Sequence, residues 1–387
     1  MASDSEPSVL IIAAEASSSI YAQRLLEHWE SQGQKVKAFG IGSRGMEKLG
    51  FEVLGRSEDL AVVGLQEVIA HFPLIRKTFH SLVDEAAKRK PKFALLLDYP
   101  DFNLRIAKKL KKLGIPVIYY ISPQVWAWRT GRVNLIKKVV DHILVLFPFE
   151  EDFYRKNEMK VSFVGHPLLD ELHRESFDDN IRRERRQRYG VLDSEFVVGL
   201  MPGSRRSEIK HHLQVQLDTI RELMKTHPKI RPFLLIAPSL DRAEIAHQIT
   251  GLDIPIQIVK DDPVRMVQLT DAILCASGTA TLMVGLLEKP MVIMYRMNSM
   301  TAWLAKKLVT HTKFFGLVNL IMDERVVPEL FQEQANPQDM AKELARYISD
   351  SQYRHATENK LKQVKQKLGA RGATEKVANI LTEYLGG

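Results

Sequence analysis

Along this chain, short runs of consecutive apolar residues alternate with longer stretches in which apolar side chains recur every three or four positions. The runs at residues 9–14, 35–40, 93–97, 117–121, 142–146 and 161–164 read as strands, most of them too apolar to have a solvated face. Between them, 20–32, 104–113 and 132–140 carry helical spacing, with Gly33 and Gly114 as stops. That alternation predicts an α/β fold with a doubly wound parallel sheet. The rhythm breaks over 170–189, where the mixed charge run Arg182-Arg183-Glu184-Arg185-Arg186 reads as a solvated helix in a linker. It restarts with strands at 196–200, 233–237, 256–259, 272–275 and 291–295. Residues 336–384 read as two or three helices with no further strand. The expected organisation is two Rossmann-like domains, 1–169 and 170–349, facing across a cleft, with helices in 350–387 packing back on the first.

Bulk composition narrows the class. A chain of 387 residues exceeds the size at which one core keeps growing, and 45% hydrophobic content suits a globular protein. The formal charge of +8 favours anionic partners, but Lys and Arg are spread along the chain without RNA-binding aromatic motifs, so no nucleic acid is expected. A single cysteine, Cys275, leaves no internal disulfide and fits a reducing compartment, hence a cytoplasmic protein. No stretch approaches the length of a membrane-spanning helix. Residues 62–77 do mix many apolar side chains with a basic end, which suits either a membrane interface or a core-facing helix pair.

Chemistry concentrates where strands end. After the strand closing at Leu200 comes Pro202-Gly203-Ser204-Arg205, then a helical run: Gly203 lets backbone approach a ligand, a helix N-terminus directs N–H groups outward, and Arg205 neutralises an anion. A second turn, Ser277-Gly278-Thr279-Ala280, stands in the same place after another strand. Two such turns at neighbouring strand ends describe a nucleotide-diphosphate site. Neither has the lysine of a P-loop or a dinucleotide fingerprint, and no cluster has metal-ligand spacing, so no metal and no cofactor is expected. In the first half, Asp98 ends the very apolar run Leu95-Leu96-Leu97, where partial desolvation raises a carboxyl pKa toward the range of a general base. Asp101 reads as a helix cap, and Glu15 as a second carboxylate at the same edge. His166 suits a hinge as well as it suits catalysis. The segment Gln124-Val125-Trp126-Ala127-Trp128-Arg129 could form one wall of a site, with indoles over a sugar or lipid and a guanidinium on phosphate.

Taken together, Asp98-Tyr99-Pro100-Asp101-Phe102-Asn103, the segment from Ser122 to Arg129, Phe147-Pro148-Phe149-Glu150, Gly165-His166-Pro167, Pro202 to Arg205, Ser277 to Ala280 and Tyr295-Arg296-Met297 resemble the lipid-A-disaccharide synthases. These are inverting glycosyltransferases of the two-Rossmann-domain GT-B type. The resemblance implies transfer of 2,3-diacylglucosamine from UDP to 2,3-diacylglucosamine 1-phosphate, at an anionic membrane surface on the cytoplasmic face of the inner membrane, and is compatible with a homodimer. It also implies that Asp98 is the base with Glu15 beside it, that Arg205, Gly203 and Ser204 stabilise the departing UDP, and that Ser277, Gly278, Thr279 and Asn319 hold the nucleotide. Ser17, Asn103, Gln124, Trp126, Trp128, Arg129, His166 and Arg296 are further substrate contacts on the same ground. The chain departs from the family at Ser18-Ser19, where Gly-Asp is usual, and at Met283, where a glutamate usually faces the ribose. Those departures suit a second reading, a catalytically impaired relative that binds lipid or nucleotide sugar. A third is another two-domain glycosyltransferase or a nucleotide-sugar epimerase.

Overall fold

The computed structural model describes residues 6–60, 65–123, 125, 130–296 and 314–386. The chain divides into two units, Met1–Pro167 with Ala370–Gly387, and Leu168–Gly369.

In the first unit seven strands, β1 (Ser8–Ala13), β2 (Lys37–Gly42), β3 (Glu52–Arg56), β4 (Ala94–Leu97), β5 (Val117–Tyr120), β6 (His142–Val145) and β7 (Val161–Phe163), form one parallel sheet in the order β3-β2-β1-β4-β5-β6-β7. Every residue of β4 and β5 is buried, which is why these strands are unbroken apolar runs instead of alternating ones. Strand β2 lies so close to β1 that a Cβ on Gly40, whose φ is +138°, would stand 2.2 Å from the Ile11 carbonyl oxygen. Glycine is therefore the residue this pairing requires.

The second unit repeats the plan with β8 (Phe196–Met201), β9 (Ile230–Leu235), β10 (Gln257–Val259), β11 (Ala272–Ala276), β12 (Met291–Tyr295) and β13 (Glu329–Phe331), all parallel, in the order β10-β9-β8-β11-β12-β13. In each sheet the strand order reverses once, between β1 and β4 and between β8 and β11. Beyond the carboxyl ends of such a pair the following loops diverge to opposite faces and leave a crevice.

The structure corrects several expectations. Strands β3 and β13 are absent from the apolar pattern because they are edge strands of five and three residues, half-buried and partly polar. The terminal helices divide at 369/370: Ser351–Leu368 packs on the helices Ala280–Leu286, Leu317–Met322 and Pro337–Ser349 of the second unit, and only Ala373–Leu385 belongs to the first. That last helix is held by Tyr384, whose hydroxyl lies 3.1 Å from His142 Nδ1 and whose ring meets Phe93 edge-on.

The arginine-rich helix Asp179–Arg188 is not simply solvated. Arg182 and Arg186 reach Asp271 before β11, Arg186 also reaches the Glu195 carbonyl, and Arg185 donates to the Gln268 side chain. Burial pushes the Asp271 carboxyl up, but the Arg182 and Arg186 charges outweigh it and hold the group below the usual carboxylate range. These groups line a cavity of about 390 Å³ at the amino-terminal edge of this sheet, remote from the crevice at its carboxyl edge.

Candidate functional site

In the first unit the reversal point is built by the ends of β1 and β4. Glu15 caps the helix Ala16–Ser31. Its N–H donates to Ser18 Oγ at 3.0 Å, Ser18 Oγ donates to the Glu15 carbonyl at 2.9 Å, and Ser19 Oγ donates to the Ala13 carbonyl at 2.8 Å. Both serines are buried. Two hydroxyls thus close this turn on itself. Ser17 stays exposed at the same edge.

Across from it, Asp98 directly follows β4 with φ +50°, and Tyr99 follows with φ +47°. Two successive left-handed residues that are not glycine mark a turn held by its surroundings. Burial raises the Asp98 carboxyl above its ordinary range, the Glu15 charge raises it further, and the Tyr99 N–H partly offsets both. Among the described residues no side chain donates a hydrogen bond to that carboxylate. Asn103 is fully buried, and its Nδ2 donates to the carbonyls of Leu97 at 3.2 Å and Asp98 at 2.6 Å. It therefore braces the turn, which differs from the expected substrate contact. Asp101 is not the helix cap either: the helix Pro100–Lys112 begins before it, with Tyr99 at the N-cap, and Asp101 pairs with Arg132 at 2.8 Å.

The second unit's reversal point lies between the loops after β8 and β11. Gly203 has φ +126°, and a Cβ there would fall 2.4 Å from Glu208 Oε2. That oxygen accepts the N–H groups of Ser204 at 2.7 Å and Arg205 at 3.3 Å. The N–H groups expected to face a ligand are thus already turned onto an internal carboxylate, in a capping box for the helix Arg206–Thr226. The Arg205 side chain is half-exposed, 3.6 Å from Glu208, and Ser277, Gly278 and Thr279 are exposed at the end of β11. Thr281 Oγ1 donates to the Gly278 carbonyl at 2.8 Å and holds that turn. The buried hydroxyl of Tyr295 lies beside Ser277.

Two residues that the sequence reading passed over fasten these loops. His212 places Nδ1 2.8 Å from the Pro202 carbonyl and Nε2 3.0 Å from the Arg296 carbonyl. One turn on, Gln216 Nε2 donates to the carbonyls of Met201 at the end of β8 and of Leu274 within β11. The available signal was a pair of polar residues within the apolar stripe Ile209, Leu213, Leu217, Ile220 of one helix.

The other expected site residues are placed as follows. Asn319 is fully buried. Its Nδ2 donates to the Val327 carbonyl at 2.9 Å and to Glu329 Oε1 at 2.6 Å, and its Oδ1 accepts from Val326 N–H and Val327 N–H at 2.8 and 3.0 Å. With donor and acceptor both engaged, its geometry is that of a loop clamp and not of a donor contact. His166 is buried at the passage from one unit to the other, and burial lowers its pKa to about 3, so it is a neutral imidazole. Arg296 is exposed, Met283 is buried, and the Cys275 thiol is pushed up to about 12 by burial. Gln124, Trp126, Trp128 and Arg129 lie outside the described residues. No group of three or more metal-ligating side chains occurs among the described residues.

Comparison with known proteins places this geometry in context. The family model described as Lipid-A-disaccharide synthetase matches residues 9–381. The lipid-A-disaccharide synthase of Geobacter metallireducens is 40% identical over 378 residues, covering 98% of this chain and 97% of that protein. The synthase of Myxococcus xanthus is 35% identical, covering 98% of each. Among solved structures, the UDP-GlcNAc 2-epimerase of Neisseria meningitidis bound to UDP-GlcNAc superposes with a TM-score of 0.64 at 13% identity, covering 97% of this chain and 99% of that one. Acinetobacter baumannii MurG gives 0.59 at 14% identity, with the same coverage. These two establish the GT-B fold class.

Proposed function

Because this chain belongs to the lipid-A-disaccharide synthase family, we propose that it forms the lipid A disaccharide by direct displacement, with UDP-2,3-diacylglucosamine as donor and 2,3-diacylglucosamine 1-phosphate as acceptor. In this reading Asp98 takes the proton of the acceptor 6-hydroxyl as its oxygen attacks the anomeric carbon. The bond from that carbon to the diphosphate breaks, the anomeric centre inverts, and UDP leaves with the electron pair. Arg205 faces the charge that develops on the diphosphate, and the exposed Ser277–Thr279 turn, together with Arg296, supplies further polar contacts. The observation that carries the reading is the Asp98 carboxylate: half-buried, raised in pKa and, among the described residues, without a side-chain donor, at the point where the first sheet reverses. A raised pKa moves a carboxylate toward the range in which a general base works.

The test is turnover by purified protein in detergent with both lipid substrates, following disaccharide and UDP by mass spectrometry. Product formation supports the reading. A folded protein that binds UDP but makes no disaccharide overturns it.

The same reading fixes a pH signature. Activity requires ionised Asp98, so kcat/KM should rise with pH through the raised pKa of this group. Glu15→Gln removes the nearby negative charge that helps raise it, so the acid limb should move to lower pH with the plateau largely kept. Loss of the plateau instead would make Glu15 the base.

Among the described residues no helix is long and apolar enough to cross a membrane. The helix Leu65–Arg89 does expose Phe72 at 53% and Leu74 at 40%, next to exposed Arg76 and Lys77. This supports peripheral association with the anionic cytoplasmic face of the inner membrane, where the acylated substrates would reside. Binding to anionic vesicles that weakens with salt is the expected behaviour, and binding indifferent to lipid charge would contradict it.

A further inference from the structure

We propose that Tyr119, together with Asn103, is a positioning residue for the reaction, aiming the Asp98 carboxylate by gripping the main-chain carbonyl of Asp98 itself. This rests on Asp98 being the base. The carbonyl of Asp98 receives two donors, the Tyr119 hydroxyl at 2.7 Å and Asn103 Nδ2 at 2.6 Å. On its other side, the Asp98 N–H donates to the Tyr120 carbonyl at 3.2 Å. Both peptide groups flanking the Asp98 Cα are thus anchored, one to side chains and one to β5.

The anchoring matters because φ at Asp98 and Tyr99 is +50° and +47°, a region that residues with a Cβ leave readily when nothing holds them. The bearing of a side chain is set by the two peptide planes on either side of its Cα. A carboxylate held in this way points where the planes send it, and a rotation of those planes carries it off line.

Tyr119 suits the task. It lies on β5 with no exposure, and burial, with the Asp98 charge adding to it, raises its phenol well above the ordinary range, so the hydroxyl remains a donor wherever the enzyme works. Asn103 stands one turn into the helix Pro100–Lys112 and also donates to the Leu97 carbonyl, so the brace spans two consecutive carbonyls at the end of β4. The alternative is a purely structural tie that closes the end of a strand. Such a tie would affect melting and leave the chemistry of the folded enzyme untouched.

The experiment is Tyr119→Phe in the full-length protein, which removes one hydroxyl and keeps the ring. We expect kcat to fall about 10-fold or more, since displacements near 1 Å are costly for a positioned group, with KM for both substrates and UDP affinity within about 2-fold of the parent. In an Asp98→Asn background the same change should have no further effect on the residual rate, because the group it aims is gone. Asn103→Ser, which shortens the donor's reach, carries the same expectation should Tyr119→Phe not fold. A parental kcat in a folded Tyr119→Phe, or the same loss in both backgrounds, overturns the positioning role. Near-parental activity of Asp98→Asn alone overturns the base assignment instead, so the two failures are distinguishable.

Discussion

Asp98→Asn should lower kcat by about 10²- to 10⁴-fold, the range over which a positioned general base contributes, while the protein melts near the parental temperature. Asparagine is the informative replacement for a conformational reason. At φ +50° most side chains would add strain of their own, whereas asparagine tolerates the left-handed region and matches the carboxylate in shape. The fold should not suffer from the lost charge either, because burial and the neighbouring Glu15 both disfavour the ionised form at this position. Turnover of the lipid substrates with thermal unfolding measured in parallel decides the matter. Activity within a few-fold of the parent would remove Asp98 from the reaction.

Asn319→Ala should destabilise the second unit instead of only weakening donor binding. The side chain joins the N–H groups of Val326 and Val327, the Val327 carbonyl and the Glu329 carboxylate in one network. Truncation leaves the buried Val326 and Val327 N–H groups and the Val327 carbonyl without their partner, at about 1–3 kcal/mol for each such group and hence about 3 kcal/mol or more together. For a unit of this size that lowers the melting temperature by roughly 10 °C. Glu329 would keep the N–H groups of Phe315 and Gly316, both at 3.0 Å, so the loss is partial and local to this unit. Calorimetry and UDP titration below the transition separate the two roles. A normal melting temperature with a weakened UDP affinity would show that Asn319 acts on the donor.

Much of this architecture can be read from residue order because the physical cause is local. A run such as Leu95-Leu96-Leu97 has no polar position to present to water, so it must be a strand covered on both faces, and a carboxylate directly after it is desolvated wherever the chain goes. Glycines and prolines after strands mark the loops of both crevices for the same local reason. The edge strands are different. Glu52–Arg56 and Glu329–Phe331 have ordinary, partly polar sequences, and what makes them strands is a neighbour already in place.

The distinction extends to single residues. Residue order alone dictates two α/β halves, the strands at their centres and the carboxylate and turns at their carboxyl ends, because burial and backbone freedom depend on each residue and its near neighbours. What the polar side chains hold is settled by packing. Tyr119 is one more large residue in an apolar run until β4 brings the Asp98 carbonyl to its hydroxyl. His212 and Gln216 acquire meaning from backbone carbonyls in and directly after three different strands. Arg182 and Arg186 became partners of Asp271 only once packing brought the helix Asp179–Arg188 to the residue before β11. Hydrogen bonds and ion pairs act over about 3–4 Å and demand direction, so which groups they join is settled by packing between distant segments, and residue order alone does not contain that distance.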